Sequence, residues 1–155
     1  MMKNLSKFFI LMTAALVWVP NAMADTNKID NIAACAGVVI GNGAIDYFIG
    51  DEASFDDASD IAYTAYLSEV FANQYAQTDI QIADQILAGN VDKVIVAYNS
   101  ETFDNELYEE IVGCYRMLSV QLLEQAETIV ANEAEWQDIK NTLIMTVKRM
   151  LSAGQ

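Results

Sequence analysis

Histidine is absent from the chain, and proline occurs once, at position 20. The first absence removes whole chemistries. A histidine-based catalytic triad, a histidine zinc site, c-type haem attachment and the Glu-x-x-His di-iron motif of helical bundles all need the imidazole. The second leaves everything beyond Pro20 free of the residue that most firmly interrupts a helix. Glycine is also sparse, and its seven copies fall mostly near apparent helix ends, so the composition points to an all-α protein. Cations are the third shortage. Eight Lys and Arg stand against 22 Asp and Glu, a net charge of −14. Nucleic acid is not an expected partner, because binding it depends on neutralising phosphates with Lys and Arg. Anionic lipid is disfavoured for the same reason. A protein with a basic surface suits this charge, as does simple solubility in salty surroundings.

Phosphate-binding and nucleophile motifs are missing as well. The chain has no Gly-rich phosphate loop, no G-x-S-x-G elbow and no dinucleotide fingerprint, so no cofactor is expected. The acidic run from Asp51 to Asp60 reads DEASFDDASD. It fails as a calcium loop, because Ala53 and Phe55 occupy ligand positions and no glycine sits at the turn. Ser54 with Asp57 reads instead as a helix start, and no metal site is expected.

What is present begins with a leader. Lys3 and Lys7 precede an apolar run from Phe8 to Val19, and Ala22-Met23-Ala24 follows Pro20. A basic segment, a short apolar core and an A-x-A site make a secretory signal peptide, residues 1–24. The run is shorter than the roughly 20 apolar residues a spanning helix needs, so no stable membrane insertion is expected after cleavage. Ile32-Ala33-Ala34-Cys35 resembles a lipobox, but Asp25, Lys28 and Asp30 separate it from the apolar run. Residues 25–155 then form one helical domain in the periplasm or outside the cell. Six cations remain there against 22 carboxylates, a net charge of −16.

The stretch from Ile29 to Phe48 organises this domain. Ile29, Ile32, Ala33, Ala36, Val39, Ile40, Gly43, Ala44 and Tyr47 share one side at 100° per residue. Ala33, Gly37 and Gly41 lie four apart on its edge, where small residues admit a neighbouring backbone. Cys35 and Cys114 are the only cysteines. In an exported chain they have one intramolecular pairing, and we expect it to staple two helices.

The remaining segments read as four or five further helices. The second is expected from about Phe55 to Ala76. A short one follows from Thr78-Asp79, with Gly89-Asn90 closing it, and an unbroken helix from Phe55 to Ala88 is the alternative. Val91 to Tyr98 has strand-forming composition, but Asn90 and Asp92 favour a helix start. Another runs from about Asp104 to Val130 with Leu107, Ile111, Cys114, Leu118, Leu122 and Ile129 on its face. Asn132 with Glu135 caps the last, Glu133 to about Ser152, whose stripe is Trp136, Ile139, Leu143, Val147 and Met150. Its Lys140, Lys148 and Arg149 suit a helix C-terminus and neighbouring acids. The fold class is therefore all-α, a small disulfide-stapled bundle of about five helices.

Function is read mostly from surfaces. Tyr63, Tyr66 and Tyr75 cluster on the second helix near Asp56, Asp57 and Asp60. Tyrosine combines a large apolar body with a polar tip and is enriched at interfaces. We expect one or two of these tyrosines to be partly exposed beside the aspartates, making a binding surface for a basic partner. The alternative is a small carboxylate-dependent hydrolase acting on cell-wall or glycan material. Its candidate pairs, Asp56/Asp60 and Glu106/Glu110, lie at i, i+4 on helix faces. No catalytic residue is assigned.

The run Cys35-Ala36-Gly37 with Gly41 resembles the C-x-G-x-x-x-G helix of small periplasmic immunity proteins that block cell-wall-degrading effectors of type VI secretion systems. That resemblance implies a binding protein and covers about seven residues. The family's proline-bearing second half has no counterpart here, so no site residue is carried over. The architecture is also similar in kind to acid-stress periplasmic chaperones. The expected class is an exported acidic binding protein: an inhibitor, immunity factor, chaperone or adaptor.

The leader gives the first test. Intact-mass analysis of protein recovered from the periplasm should show a chain beginning at Asp25. An uncleaved or lipidated N-terminus would overturn the assignment.

Overall fold

Asp25 opens the first helix by accepting a hydrogen bond from the Asn27 amide at 3.0 Å. This relieves one of the unpaired amides that every helix start exposes. The computed structural model describes residues 25–154; the leader and its expected cleavage site lie outside the described residues. Five helices follow in order: α1 (Thr26–Phe48), α2 (Glu52–Ala72), α3 (Gln77–Asn99), α4 (Asn105–Glu124) and α5 (Ala126–Ala153). No strand occurs among the described residues, and no helix there is long and apolar enough to cross a membrane.

α1 is the central element, packed by α2, α3 and α4. Its buried residues run from Ile29 to Ala44 with little interruption. The small edge is what permits this. A Cβ at Gly37 would fall directly on the Leu87 carbonyl oxygen and 2.8 Å from the Asn90 Cβ. At Gly41 it would lie 2.8 Å from the Val94 Cβ. Two residues on, roughly half a turn round the helix, the same logic applies to the other side, where Gly43 faces the Ala58 Cβ at 2.9 Å. Thus α3 and α2 both approach the α1 backbone closely. Cys35 and Cys114 form a disulfide with Cα atoms 4.8 Å apart, fastening α1 to α4. In the chain-entropy picture a loop of this length is worth about 4–5 kcal/mol.

Two turns reverse the chain in the same way. After α1, the Asp51 amide donates to the Asp46 carbonyl and the Gly50 amide to that of Tyr47, with Gly50 at φ 93°. After α3, Thr102 donates to Ala97 and Glu101 to Tyr98, with Glu101 at φ 57°. Both are Schellman ends, which place one residue in the left-handed region. Glycine fills that position in the first turn, and a glutamate does so in the second.

Several boundaries differ from the sequence reading. α2 begins at Glu52, because Asp51 rather than Ser54 caps it, accepting from the Ser54 amide at 3.1 Å and the Ser54 hydroxyl at 2.7 Å. It ends at Ala72, so neither Ala76 nor Ala88 is its terminus. α3 passes straight through Gly89-Asn90. Leu87, Ala88, Val91, Val94 and Ile95 form one continuous buried stripe, and burial against α1 outweighs the local stop signal. Asn90 instead donates to the Ile86 carbonyl. Residues 91–98 are helical, as the Asn90 and Asp92 argument favoured. The break expected at Asn132 lies at Gln125. Bending there returns α5 to α2, where Trp136 is 1% exposed and its ring lies 5.2 Å from that of Phe71. Asn132 is mid-helix and donates to the Thr128 carbonyl.

Gly37→Leu tests the packing of the central helix. We expect the denaturant midpoint to fall by the equivalent of about 3 kcal/mol, the upper range for overpacking, because the obstacle is backbone. An unchanged midpoint would place Gly37 on a free surface.

Candidate functional site

The residues nominated from sequence do not assemble into one surface. One or two of the three tyrosines were expected to be partly exposed beside the aspartates; Tyr63 and Tyr66 are 1% and 2% exposed, so only Tyr75 is partly open. The reason is the position of α2 between α1, α4 and α5, which buries every residue from Ala62 to Val70. Tyr75 is half-buried, but it lies in the connector after α2, at the opposite end from the aspartates. Of those, Asp57 is exposed. Asp60 accepts from the buried Lys140 ammonium at 2.7 Å, with Thr64 adding a 3.0 Å bond. Asp56 pairs with Lys148 at 2.6 Å, which also holds Glu52 at 2.6 Å. The basic half of α5 is therefore matched to the acidic start of α2. These pairs dock the last helix onto α2.

The carboxylate pairs considered for hydrolysis are likewise engaged or open to solvent. Asp56 and Asp60 each hold a lysine, Glu110 takes Lys93 at 2.6 Å, and Glu106 is exposed. No group of three or more His, Cys, Asp or Glu side chains is placed to hold a metal ion among the described residues.

Two carboxylates are buried instead. Glu69 is 1% exposed and accepts from Tyr75 at 2.5 Å, Gln121 at 2.8 Å and Asn73 at 2.9 Å, with the Lys28 ammonium at 3.1 Å. Those partners come from α1, α4 and the connector, so together with its own helix α2 this one carboxylate ties four segments together. Burial, and then Glu69 itself, hold the Tyr75 phenol above its ordinary range. Asp84 on α3 is 2% exposed and accepts from the Tyr66 hydroxyl at 2.6 Å. Its second oxygen and the Tyr63 hydroxyl have no hydrogen-bond partner among the described residues. Burial pushes the Asp84 carboxyl up to about 7, against the opposing pull of the Tyr66 bond.

An acidic and aromatic surface does exist, at the corner joining α3 to α4. Tyr98 and Tyr108 are 40% and 56% exposed. Glu101, Asp104, Glu106 and Glu109, in the same segment, are exposed as well. Asp104 is also the cap of α4, accepting from the Leu107 amide at 2.9 Å. Half-buried Phe103 packs against the core and anchors the loop. The Lys93–Glu110 pair braces the two helices beside it. The sequence carried a signal for this site: no lysine or arginine occurs from Val94 to Tyr115, although five carboxylates do.

The chain matches no protein-family model, no curated protein and no solved structure.

The buried Asp84 makes stability depend on pH. Its folded pKa lies above the unfolded 3.8, so the folded state binds the proton more tightly. The contribution of this group to stability should therefore be greatest below about pH 4 and fall as pH rises towards 7, by at most about 4 kcal/mol. Asp84→Asn should flatten that part of the melting-temperature profile. A profile identical in wild type and variant would show that Asp84 does not titrate on unfolding.

Proposed function

We propose that the chain is an exported interaction protein whose α3–α4 corner docks a partner with a basic surface. The observation that carries this reading is the exposure of Tyr98 and Tyr108 among Glu101, Asp104, Glu106 and Glu109, with Lys93 already committed to Glu110. Large aromatics surrounded by unneutralised carboxylates suit a partner that brings lysines or arginines around an apolar centre. Net charge strengthens the long-range part, because an excess of 16 negative charges over residues 25–155 speeds encounter with a basic protein. Such a surface would serve an inhibitor, an immunity factor, a chaperone or an adaptor. The leader and the disulfide support a compartment outside the cytosol, which we take to be the periplasm.

The backbone at Glu101 adds to the argument. A non-glycine residue in the left-handed region costs about 1–2 kcal/mol, whereas the equivalent turn after α1 uses Gly50. Retaining a carboxylate there has a reason if that carboxylate contacts a partner.

The immobilised protein should retain a basic protein from periplasmic extract at low salt and release it as ionic strength rises. Tyr98→Ala and Tyr108→Ala should each weaken the captured partner's affinity about tenfold or more, as truncated interface anchors do. Both side chains are exposed, so circular dichroism should be unchanged. Equal retention by wild type and the double variant would overturn the reading, as would retention of no basic protein.

A further inference from the structure

The most exposed large apolar side chain among the described residues is Leu123, at 78%. It lies on α4 with Met117 at 42% and Val120 at 50%. Spacings of three residues put all three on one outward face of that helix. Arg116 and Glu124 flank the stripe and are exposed. Arg116 makes no ion pair within the described residues, in a chain where carboxylates far outnumber cations. Glu124 has one long contact, 4.0 Å from the Lys28 ammonium.

The order of these residues is symmetric about Val120. Met117 lies three before it and Leu123 three after; Arg116 lies four before it and Glu124 four after. Two antiparallel helices with Val120 on a two-fold axis therefore place Met117 opposite Leu123 and Arg116 opposite Glu124, each twice. The contact is self-complementary in shape class and in charge, as an isologous interface requires. An open groove of about 480 Å³ runs beside the stripe, lined by Lys28, Asn31 and Ile32 of α1 together with Gly113, Met117 and Val120 of α4. A Cβ at Gly113 would meet nothing within 4 Å. No neighbour among the described residues requires glycine there, although glycine costs a helix about 0.5–1 kcal/mol relative to alanine. The second mid-helix glycine with open surroundings, Gly89, is not part of this groove.

We propose that this face of α4 binds a second copy of the same chain, in an antiparallel dimer centred on Val120. A basic partner is the poorer occupant, since the cation Arg116 sits on the stripe. The contact is separate from the α3–α4 corner and does not depend on the reading given for it. Two turns of helix bury less than the roughly 1,200–2,000 Å² of a standard interface, so the dimer should dissociate on dilution.

Sedimentation of the purified protein over a concentration series should show one chain passing to two. Arg116→Glu should weaken self-association at least tenfold, and Arg116→Glu with Glu124→Arg should restore it. Val120→Cys, half-exposed and off the core, should form a covalent dimer on mild oxidation, whereas Glu106→Cys, toward the N-terminal end of α4, should not. Circular dichroism of each variant separates loss of association from loss of fold. A wild type that stays one chain at every concentration would overturn the proposal. So would a dimer indifferent to Arg116→Glu, or a charge swap that fails to restore it. Capture of an unrelated protein by this face, lost in Leu123→Glu while the chain stays monomeric, would assign the stripe to a different occupant and also overturn it.

Discussion

Everything in this bundle rests on how near α3 comes to the backbone of α1. Where Gly37 faces the Leu87 carbonyl, no side-chain atom fits between the two helices. Close approach lets the short residues Ala33, Ala36 and Ala44 bury completely, since larger ones would hold the neighbours apart. It also sets the depth at which α3 sits. Asp84 is carried by that same helix, so its burial beneath Tyr66 is a by-product of the small edge on α1. The disulfide adds α4 to an arrangement already determined by two helix–helix contacts.

Polar groups inside the bundle divide into two kinds. Glu69 is saturated, with donors from several segments around both oxygens, and it behaves as a pin. A saturated buried carboxylate fixes the relative placement of its donors, whatever its net contribution to stability. Asp84 is only half satisfied, so its proton, rather than a cation, offsets the cost of burial. Lys140 belongs to the first kind, held by Asp60 and Thr64 at the seam between α2 and α5. Apart from Asp104, which caps α4, the exposed carboxylates of the proposed α3–α4 surface are a different set from those that build the fold.

Much of this was legible in the sequence because it followed from periodicity and counting. The central helix, the Cys35–Cys114 pairing and the stripes of α4 and α5 all came from apolar spacing or from having only two cysteines. Boundaries failed where a local signal competed with burial. Gly89-Asn90 has the composition of a stop, yet Val91 and Val94 gain more from α1 than the stop is worth. Asn132 has the composition of a cap, yet the position at which Trp136 meets α2 decides the bend. The tyrosines misled for a related reason. Tyr63 and Tyr66 lie on a helix enclosed from several sides, and a one-dimensional pattern does not tell how many neighbours a helix has. The cation-free segment around Tyr98 and Tyr108 was visible as composition, but nothing in the pattern alone said that both rings point outwards.

The covalent ring closed by Cys35 and Cys114 has an inside and an outside. α2, α3, the latter part of α1 and the first half of α4 lie within it, and α5 does not. That last helix is held to α2 by Trp136, Leu143, Val147 and the two lysine seams, with a single Tyr47–Ser152 hydroxyl bond to α1 at its end. Its detachment leaves the ring intact and bares the α2 face bearing Phe71 and Phe55. Hydrogen exchange would therefore sort the molecule into two cooperative units, with α5 opening below the free energy of the whole. Under a directional load, such as tugging on the C-terminus, the chain would yield first by peeling one helix from a core that its own cross-link keeps closed.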